Sequence, residues 1–371
     1  MTDAILLFRR SLLLLTLCGT LLPFAACKKK EDAAAGTPGA TPAEGTPAEP
    51  TPKEEPPAEL KALWTEGQRL VVQVVTQTDT ETTNPALPQP IKSESLTAQE
   101  IAFTASKERE AGGREVDVEI VSLRGESKAG GKTIPIFDPK SDPKSDRTNA
   151  TAGAIRKLLG SHVKYQVDTN GNISKVDGLP QLLTRVTTGL QPMGQIYVRG
   201  LLTEDAIRGW NTLHQGLPTN SVKAGDTWES TRDMPFGVAK FAMNTTNTFK
   251  GWEQRNNKKV AKFESVGVIA PKGAATNPGP ITIADGATIS GSSWYDPAVG
   301  GIVESETTAN FSVTISQATG QSIASKLKTK TTSKLIAGGV AGAEPAAAPP
   351  AAAKPAEKPC TPGASSSSRC W

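Results

Sequence analysis

An acid–base or nucleophilic site working near neutral pH would have to be built on His162 or His214. They are the chain's two histidines, and imidazole is the side chain that titrates there unaided. A serine hydrolase needs a hydroxyl and a carboxylate converging on one of them. Ser161 precedes His162, but no G-x-S-x-G elbow is present. His162 falls in a hairpin strand and His214 in the loop 211–216, so both are expected as surface or partly packed side chains. Residues 125–133, Gly-Glu-Ser-Lys-Ala-Gly-Gly-Lys-Thr, have the glycines and lysine of a phosphate loop, but GxxxxGK[ST] requires glycine where Glu126 stands. A helix should follow, to aim N–H groups at phosphate. Ile134-Pro135-Ile136-Phe137-Asp138-Pro139 does not permit one, and a glycine turn between strands is expected instead. Asp168-Thr169-Asn170-Gly171-Asn172 lacks the spacing and distal glutamate of a calcium loop and reads as a hairpin turn. Glu304 and Glu306 share one strand face, as paired carboxylates would. With no partner placed opposite them, they are expected as solvated strand charges. Trp64, Trp210, Trp228, Trp252 and Trp294 are expected mainly to seal a core in which aromatics are scarce, at 5% of the chain. Lining a ligand groove is the alternative. No catalytic residue, metal ligand or cofactor is expected.

The cysteines point to location rather than catalysis. Four are present with no CxxC pair, which excludes a zinc-finger array and a c-type haem attachment. Asp3 and a short apolar stretch precede Arg9-Arg10, after which an apolar run leads to Pro23-Phe24-Ala25-Ala26-Cys27. This is the order of a secretory signal, and the run is shorter than the roughly 20 residues of a spanning helix. Phe24-Ala25-Ala26-Cys27 resembles the lipobox of bacterial lipoproteins, with Phe24 where leucine is usual. The resemblance implies cleavage after residue 26, lipidation of Cys27 (palmitate-labelled) and residence in the cell envelope, facing the periplasm or the surface. A secreted protein with Cys27 as a free thiol is the alternative. More than one acyl chain gives a stable anchor, and Lys28-Lys29-Lys30 would face anionic headgroups. Lys28 is not the aspartate that retains some lipoproteins at the inner membrane, which favours the outer one.

Residues 28–57 contain seven prolines and no Leu, Ile, Val or aromatic residue. Such a segment cannot offset its ordering entropy by burial, so it reads as a disordered tether. The Ala/Pro/Ser-rich tail 338–371 reads likewise. Cys360 and Cys370 lie within it, either as a small disulfide or as two thiols. The formal net charge of +4 over 371 residues is too mild to make nucleic acid the default partner.

Between these segments, residues 58–337 are expected to form an α+β domain, mainly antiparallel β, in curved sheets or half-barrel meanders with two or three helices in the middle. Strands are expected at 70–78, 96–106 and 115–123, the last alternating Val116, Val118 and Ile120 onto one face. The period then changes. Ala154, Ile155, Leu158 and Leu159 stand at helical spacing before Gly160. A hairpin follows at 162–176, turning at Asn170-Gly171. Helices are expected at 179–190 and 201–210, the latter with Thr203-Glu204-Asp205 near its start. Strands resume at 222–228, 240–252, 259–269, 287–295, 301–316 and 321–335, with turns at Asn256-Asn257 and Gly300-Gly301. The stretches before 70 and before 228 begin alike, which suggests two related β halves around a helical insert at 150–215.

Residues 63–335 resemble an uncharacterised family of bacterial envelope lipoproteins. The resemblance is carried by Gly171-Asn172-Ile173-Ser174-Lys175-Val176-Asp177-Gly178, by 222–228, and by Trp294-Tyr295-Asp296-Pro297 with Gly300-Gly301-Ile302-Val303-Glu304-Ser305. The element order is also similar to lipid-carrying half-barrels of the lipoprotein-carrier type. The family implies architecture and location, and no activity. Three functions follow from the sequence: a non-enzymatic envelope protein binding an apolar ligand or lipid, a scaffold for protein partners, or a hydrolase on His162 or His214. The first two need no catalytic constellation.

Overall fold

The computed structural model describes residues 56–110, 112–144, 150–236, 239–271, 281–316 and 320–340. The signal segment, Cys27, the tether, the tail, Cys360 and Cys370 lie outside them. The strands are β1 (Gln68–Thr83), β2 (Ile91–Glu108), β3 (Arg114–Ala129), β4 (Lys132–Phe137), β5 (His162–Val167), β6 (Ile173–Asp177), β7 (Thr227–Phe236), β8 (Ala239–Arg255), β9 (Lys258–Pro271), β10 (Ile281–Ile283), β11 (Thr288–Asp296), β12 (Gly301–Ser316) and β13 (Ser322–Val340). The helices are α1 (Ala150–Leu158), α2 (Leu179–Thr187), α3 (Pro192–Leu201) and α4 (Glu204–Arg208). The protein is thus mainly antiparallel β with a few small helices.

All the strands join one sheet, in the order β6-β5-β3-β2-β1-β13-β12-β11-β9-β8-β7, with β4 beside β3 and β10 beside β12. The two β halves expected on either side of the helical segment lie in this one sheet. β13 pairs with β1 from Ala324–Thr83 to Val340–Gln68 and with β12 along its other side, so the last strand joins the halves. It also continues beyond residue 337, where a tail was expected to begin.

Local sequence accounts for the turns. Asn256 and Asn257 both take positive φ, 52° and 62°, as a two-residue hairpin between right-twisted strands demands. Gly130 and Gly131 turn β3 into β4, so the would-be phosphate loop is a hairpin. Three local expectations differ. First, the 162–176 hairpin turns through five residues, 168–172, because Asp168 Oδ1 accepts the amides of Asn170 (2.8 Å) and Asn172 (2.9 Å) in an Asx-type turn. Second, the 201–210 helix breaks. Thr203 is extended and its Oγ1 accepts from Ala206 N at 3.2 Å, starting α4 afresh. The preceding helix is α3, opened by Pro192. Third, 222–226 is a turn rather than a strand. Val222 only bridges to Ala58, Lys223 N donates to Asp226 Oδ2 at 2.8 Å, and β7 begins at Thr227.

The core lies on one face of the sheet. Leu70, Val72, Phe103, Val116, Val118, Val163 and Tyr165 pack with Leu182 and Val186 of α2 and with Ile207, Trp210 and Leu213. The helices thus cover the β1–β5 end. A second cluster, including Phe241, Met243, Ile289, Phe311 and Leu327, occupies the other end of the β8–β13 strands. A third surrounds Leu60, Phe249, Phe263 and Tyr295.

Candidate functional site

Between these clusters the inner face is polar but buried. Thr76 faces Thr331, Thr331 faces Thr307, Thr307 faces Gly291, Gly291 faces Ser265 and Ser265 faces Asn247. All but Gly291 are among the most buried polar residues, with Thr331 0% and Thr307 1% exposed. Hydroxyls satisfy one another across strands: Thr76 with Thr331 at 3.0 Å, Thr78 with Thr329 at 3.2 Å, Thr82 with Ser325 at 2.9 Å. Ser265 Oγ donates to Asn247 Oδ1 at 2.6 Å. Pairing of this kind makes burial of polar groups tolerable. The inner face is therefore occupied by the chain's own side chains, apolar under the helices and at the far end of β8–β12, hydroxylic across its middle and along the far ends of β1–β3.

The outer face is charged where it crosses β3, β2, β1 and β13. Lys128 faces Glu94, Glu94 faces Asp79 and Asp79 faces Lys328 in one transverse row. Lys92, Glu81 and Lys326 form the next. Ion pairs link Lys128 to Glu94 at 3.4 Å and Lys92 to Glu81 at 3.6 Å. Together with Asp285 and the turn glycines Gly130, Gly131 and Gly286, these rows line an open furrow of about 1520 Å³. A second, smaller hollow of about 330 Å³ is mainly apolar, lined by Pro56, Pro57, Ala58, Trp252 and Pro297 together with Glu59 and Lys259. Lys259 Nζ lies 5.3 Å from the Trp252 ring centre.

The structure separates the residues singled out in the sequence. His162 is half exposed on β5, with Nδ1 2.8 Å from Asp117 Oδ2. Ser161 turns its hydroxyl to Lys157 O at 2.9 Å. His214 meets Trp64 edge-on, ring centres 4.4 Å apart, and its Nδ1 stands 3.5 Å from Asn211 Nδ2. Burial lowers His214 from 6.5 to about 4, although the carbonyls of Gly300 and Leu63 oppose this. No set of three or more His, Cys, Asp or Glu among the described residues is placed to hold a metal ion.

Glu304 corrects the expectation of a solvated charge. Arg255 donates to it twice, Nε to Oε2 at 2.8 Å and Nη2 to Oε1 at 2.7 Å, a two-pronged geometry that suits guanidinium. The same guanidinium lies 3.9 Å from the Trp294 ring centre, and Trp294 Nε1 donates to Glu253 at 2.6 Å. The Arg255 hydrogen bonds hold the Glu304 carboxyl below its ordinary range, against some burial. Of the tryptophans, Trp64, Trp210 and Trp294 are buried. Trp228 packs at the third cluster, and Trp252 both packs there and lines the hollow.

The two transverse charge rows and the hydroxyl belt were not read from the sequence. Their signal is the alternation Lys326-Leu327-Lys328-Thr329-Lys330-Thr331, lysine on one face and Leu or Thr on the other. It becomes a site only once β1 and β12 are known to flank β13.

Residues 112–277, spanning β3 to β9 and the helices, match the model of a family of unknown function, DUF6263. No curated protein matches the chain. Among solved structures, the chain is similar to lipovitellin, in a study of its lipid–protein interactions, at 14% identity and a TM-score of 0.45. That alignment covers 77% of this chain and 27% of lipovitellin, so the chain spans about a quarter of that protein's length. A protein from Bacteroides fragilis described as exported, with a YmcC-like fold, aligns at 12% identity and a TM-score of 0.22, over 75% of this chain and 98% of its own. A domain from Vibrio parahaemolyticus described as outer-membrane lipoprotein-sorting aligns at 9% identity and a TM-score of 0.11, over 69% and 83%. At these scores none of the three assigns a function to this chain.

Proposed function

We propose that the chain is a non-enzymatic, lipid-anchored protein of the cell envelope whose sheet is a scaffold for other envelope proteins. The carrying observation is the division between the two faces of the sheet. The inner face is occupied by the chain's own side chains, whereas the outer face presents charged rows held in register on β3, β2, β1 and β13. A register-fixed mosaic of both signs selects a partner by complementary charge. Cys27 supplies the anchor, the proline-rich segment 28–57 the spacing from the membrane, and the outer membrane is the favoured site. The hydroxyl of Ser161, committed to Lys157 O, and the enclosure of His214 by Trp64 and Asn211 support a non-enzymatic role.

A second reading, binding of an apolar ligand or lipid, rests on the Trp252 hollow. Its volume, about 330 Å³, is at the lower end of ligand pockets, and Lys259 in its lining would meet an anionic head.

The scaffold reading is tested by Lys326→Glu combined with Lys328→Glu. Both side chains are exposed, so the fold should be retained. The reading expects loss of defined cross-links between the membrane-bound chain and envelope proteins. Unchanged cross-links to the same proteins would remove the furrow as the docking face.

A further inference from the structure

Residues 58–66 lie as a strap at the end of the sheet and carry the proline-rich segment. A small number of discrete contacts fasten them. Ala58 and Val222 exchange backbone hydrogen bonds at 2.7 and 2.9 Å. Tyr295 Oη donates to Lys61 O at 2.8 Å. Leu63 N donates to Gly300 O at 2.9 Å. The Leu63 side chain lies so close to Gly300 that a Cβ there would come within 2.2 Å of it. Leu60 and Trp64 are buried.

Trp64 closes over His214, and their meeting point is poorly satisfied. His214 Nε2, Trp64 Nε1 and Asn211 Oδ1 are enclosed without a hydrogen-bond partner. Nor, among the described residues, does a carboxylate bear on the imidazole. On the strap, Glu59 and Lys61 pair with each other at 2.8 Å on the exposed side, and Glu66 is exposed. In α4, Arg208 is bound to Glu204 at 2.6 Å, and on the segment leading from it Gly209 O and Gln215 Oε1 accept from the cation of Arg232 at 3.1 and 2.5 Å. At the turn between β11 and β12, Asp296 is bound to Lys258 at 3.0 Å and to Ala298 N at 2.9 Å. A proton added to His214 would find only the carbonyl oxygens of Gly300 and Leu63, which do not offset its burial, so it would be a charge without a counter-ion, a costly state. Displacing the strap relieves it without breaking the sheet ladder.

We propose that the strap is an acid-released clasp: protonation of His214 displaces Trp64 and frees residues 58–66 from the sheet. Release would lengthen the linker by roughly 3 Å per residue and uncover the surface held by Ala58 and Leu60. The release itself does not depend on the scaffold reading or on the anchor.

The direction follows from linkage. In the closed form burial keeps His214 near 4, against 6.5 when free. The released form therefore takes up the proton first as pH falls below about 6.5. The ratio of released to closed strap should rise about 30-fold at pH 5 relative to pH 7.5.

Hydrogen–deuterium exchange on the full chain tests this at pH 7.5, 6 and 5, with rates corrected for intrinsic chemistry. Peptides covering 58–66 should gain about 30-fold in excess exchange at pH 5, while β1, β12 and β13 stay protected. His214→Asn should abolish the gain. Proton NMR of the two histidines supplies a second readout on the natural chain, in which His214 should titrate together with strap opening. Strap exchange without excess at pH 5, the same gain in the Asn variant, or a His214 midpoint separate from strap opening would each overturn the proposal.

Discussion

Arg208 of α4 donates Nη2 to the carbonyl of Ser174 on β6 at 3.0 Å, and Nη1 to the neighbouring carbonyl of Ile173. The residue after α4, Gly209, offers its carbonyl to Arg232 of β7 at 3.1 Å. β6 and β7 are the two ends of the sheet path. One short helical turn thus touches both edges, with arginines as the fasteners. Exposed edges invite pairing with other chains, and here an edge is occupied by guanidinium hydrogen bonds.

Arg208→Ala should loosen that fastening. Its side chain is 30% exposed, so the loss is put at about 1–2 kcal/mol, below the full value of charged hydrogen bonds. Denaturant titration should show it, with faster hydrogen exchange in β6 and a concentration-dependent dimer on size exclusion. Unchanged exchange in β6 would mean that the edge is held by other contacts.

Gly267 should tolerate no side chain. A Cβ there would lie 2.0 Å from Asn244 O and 2.8 Å from Thr245 Cα on the neighbouring strand, and backbone cannot move aside cheaply. Gly267→Ala should cost about 3 kcal/mol, at the upper end for overpacking. Gly286→Ala is the control. It has open space but a φ of +84°, and should cost only about 1 kcal/mol. Equal midpoints for the two variants in thermal melts would contradict this account.

Much of the strand layout was legible because β-branched runs alternate over long stretches, as in 115–123 and 301–316. Helix α4 was hidden within a longer apolar pattern, since Thr203 breaks the helix by capping and leaves the apolar spacing intact. The single sheet was not legible, because the β1–β13 pairing joins residues about 250 positions apart and no local signal encodes it. The Arg255–Glu304 pair was missed for the same reason: its members stand on strands separated by β9 and β11. The strap was invisible as a contact, since nothing in residues 58–64 names Gly300 or His214 as its neighbours.

Glu304 should make stability pH-dependent. Its folded pKa is held below 4.5, chiefly by the Arg255 hydrogen bonds, so its contribution is complete above about pH 4.5. That contribution is lost as pH falls through the folded value. Glu304→Gln should therefore destabilise at pH 7 by about 1–2 kcal/mol, with the difference from the natural chain narrowing towards pH 3. A difference that stays constant with pH would show that the carboxylate charge is not what Arg255 stabilises.

Cys27→Ser should shift the protein from the membrane fraction to the soluble one and abolish palmitate labelling. Labelling that persists would place the modification elsewhere and remove the anchor from the account.

On the scaffold proposal, the sheet keeps its inner face for its own side chains and meets partners on the outer one. Native mass spectrometry of residues 58–340, purified without detergent and then incubated with envelope lipids, tests it most directly. The predicted result is the bare chain mass before and after incubation. A bound mass that disappears on denaturation and extracts into organic solvent would contradict the claim and make the protein a lipid carrier.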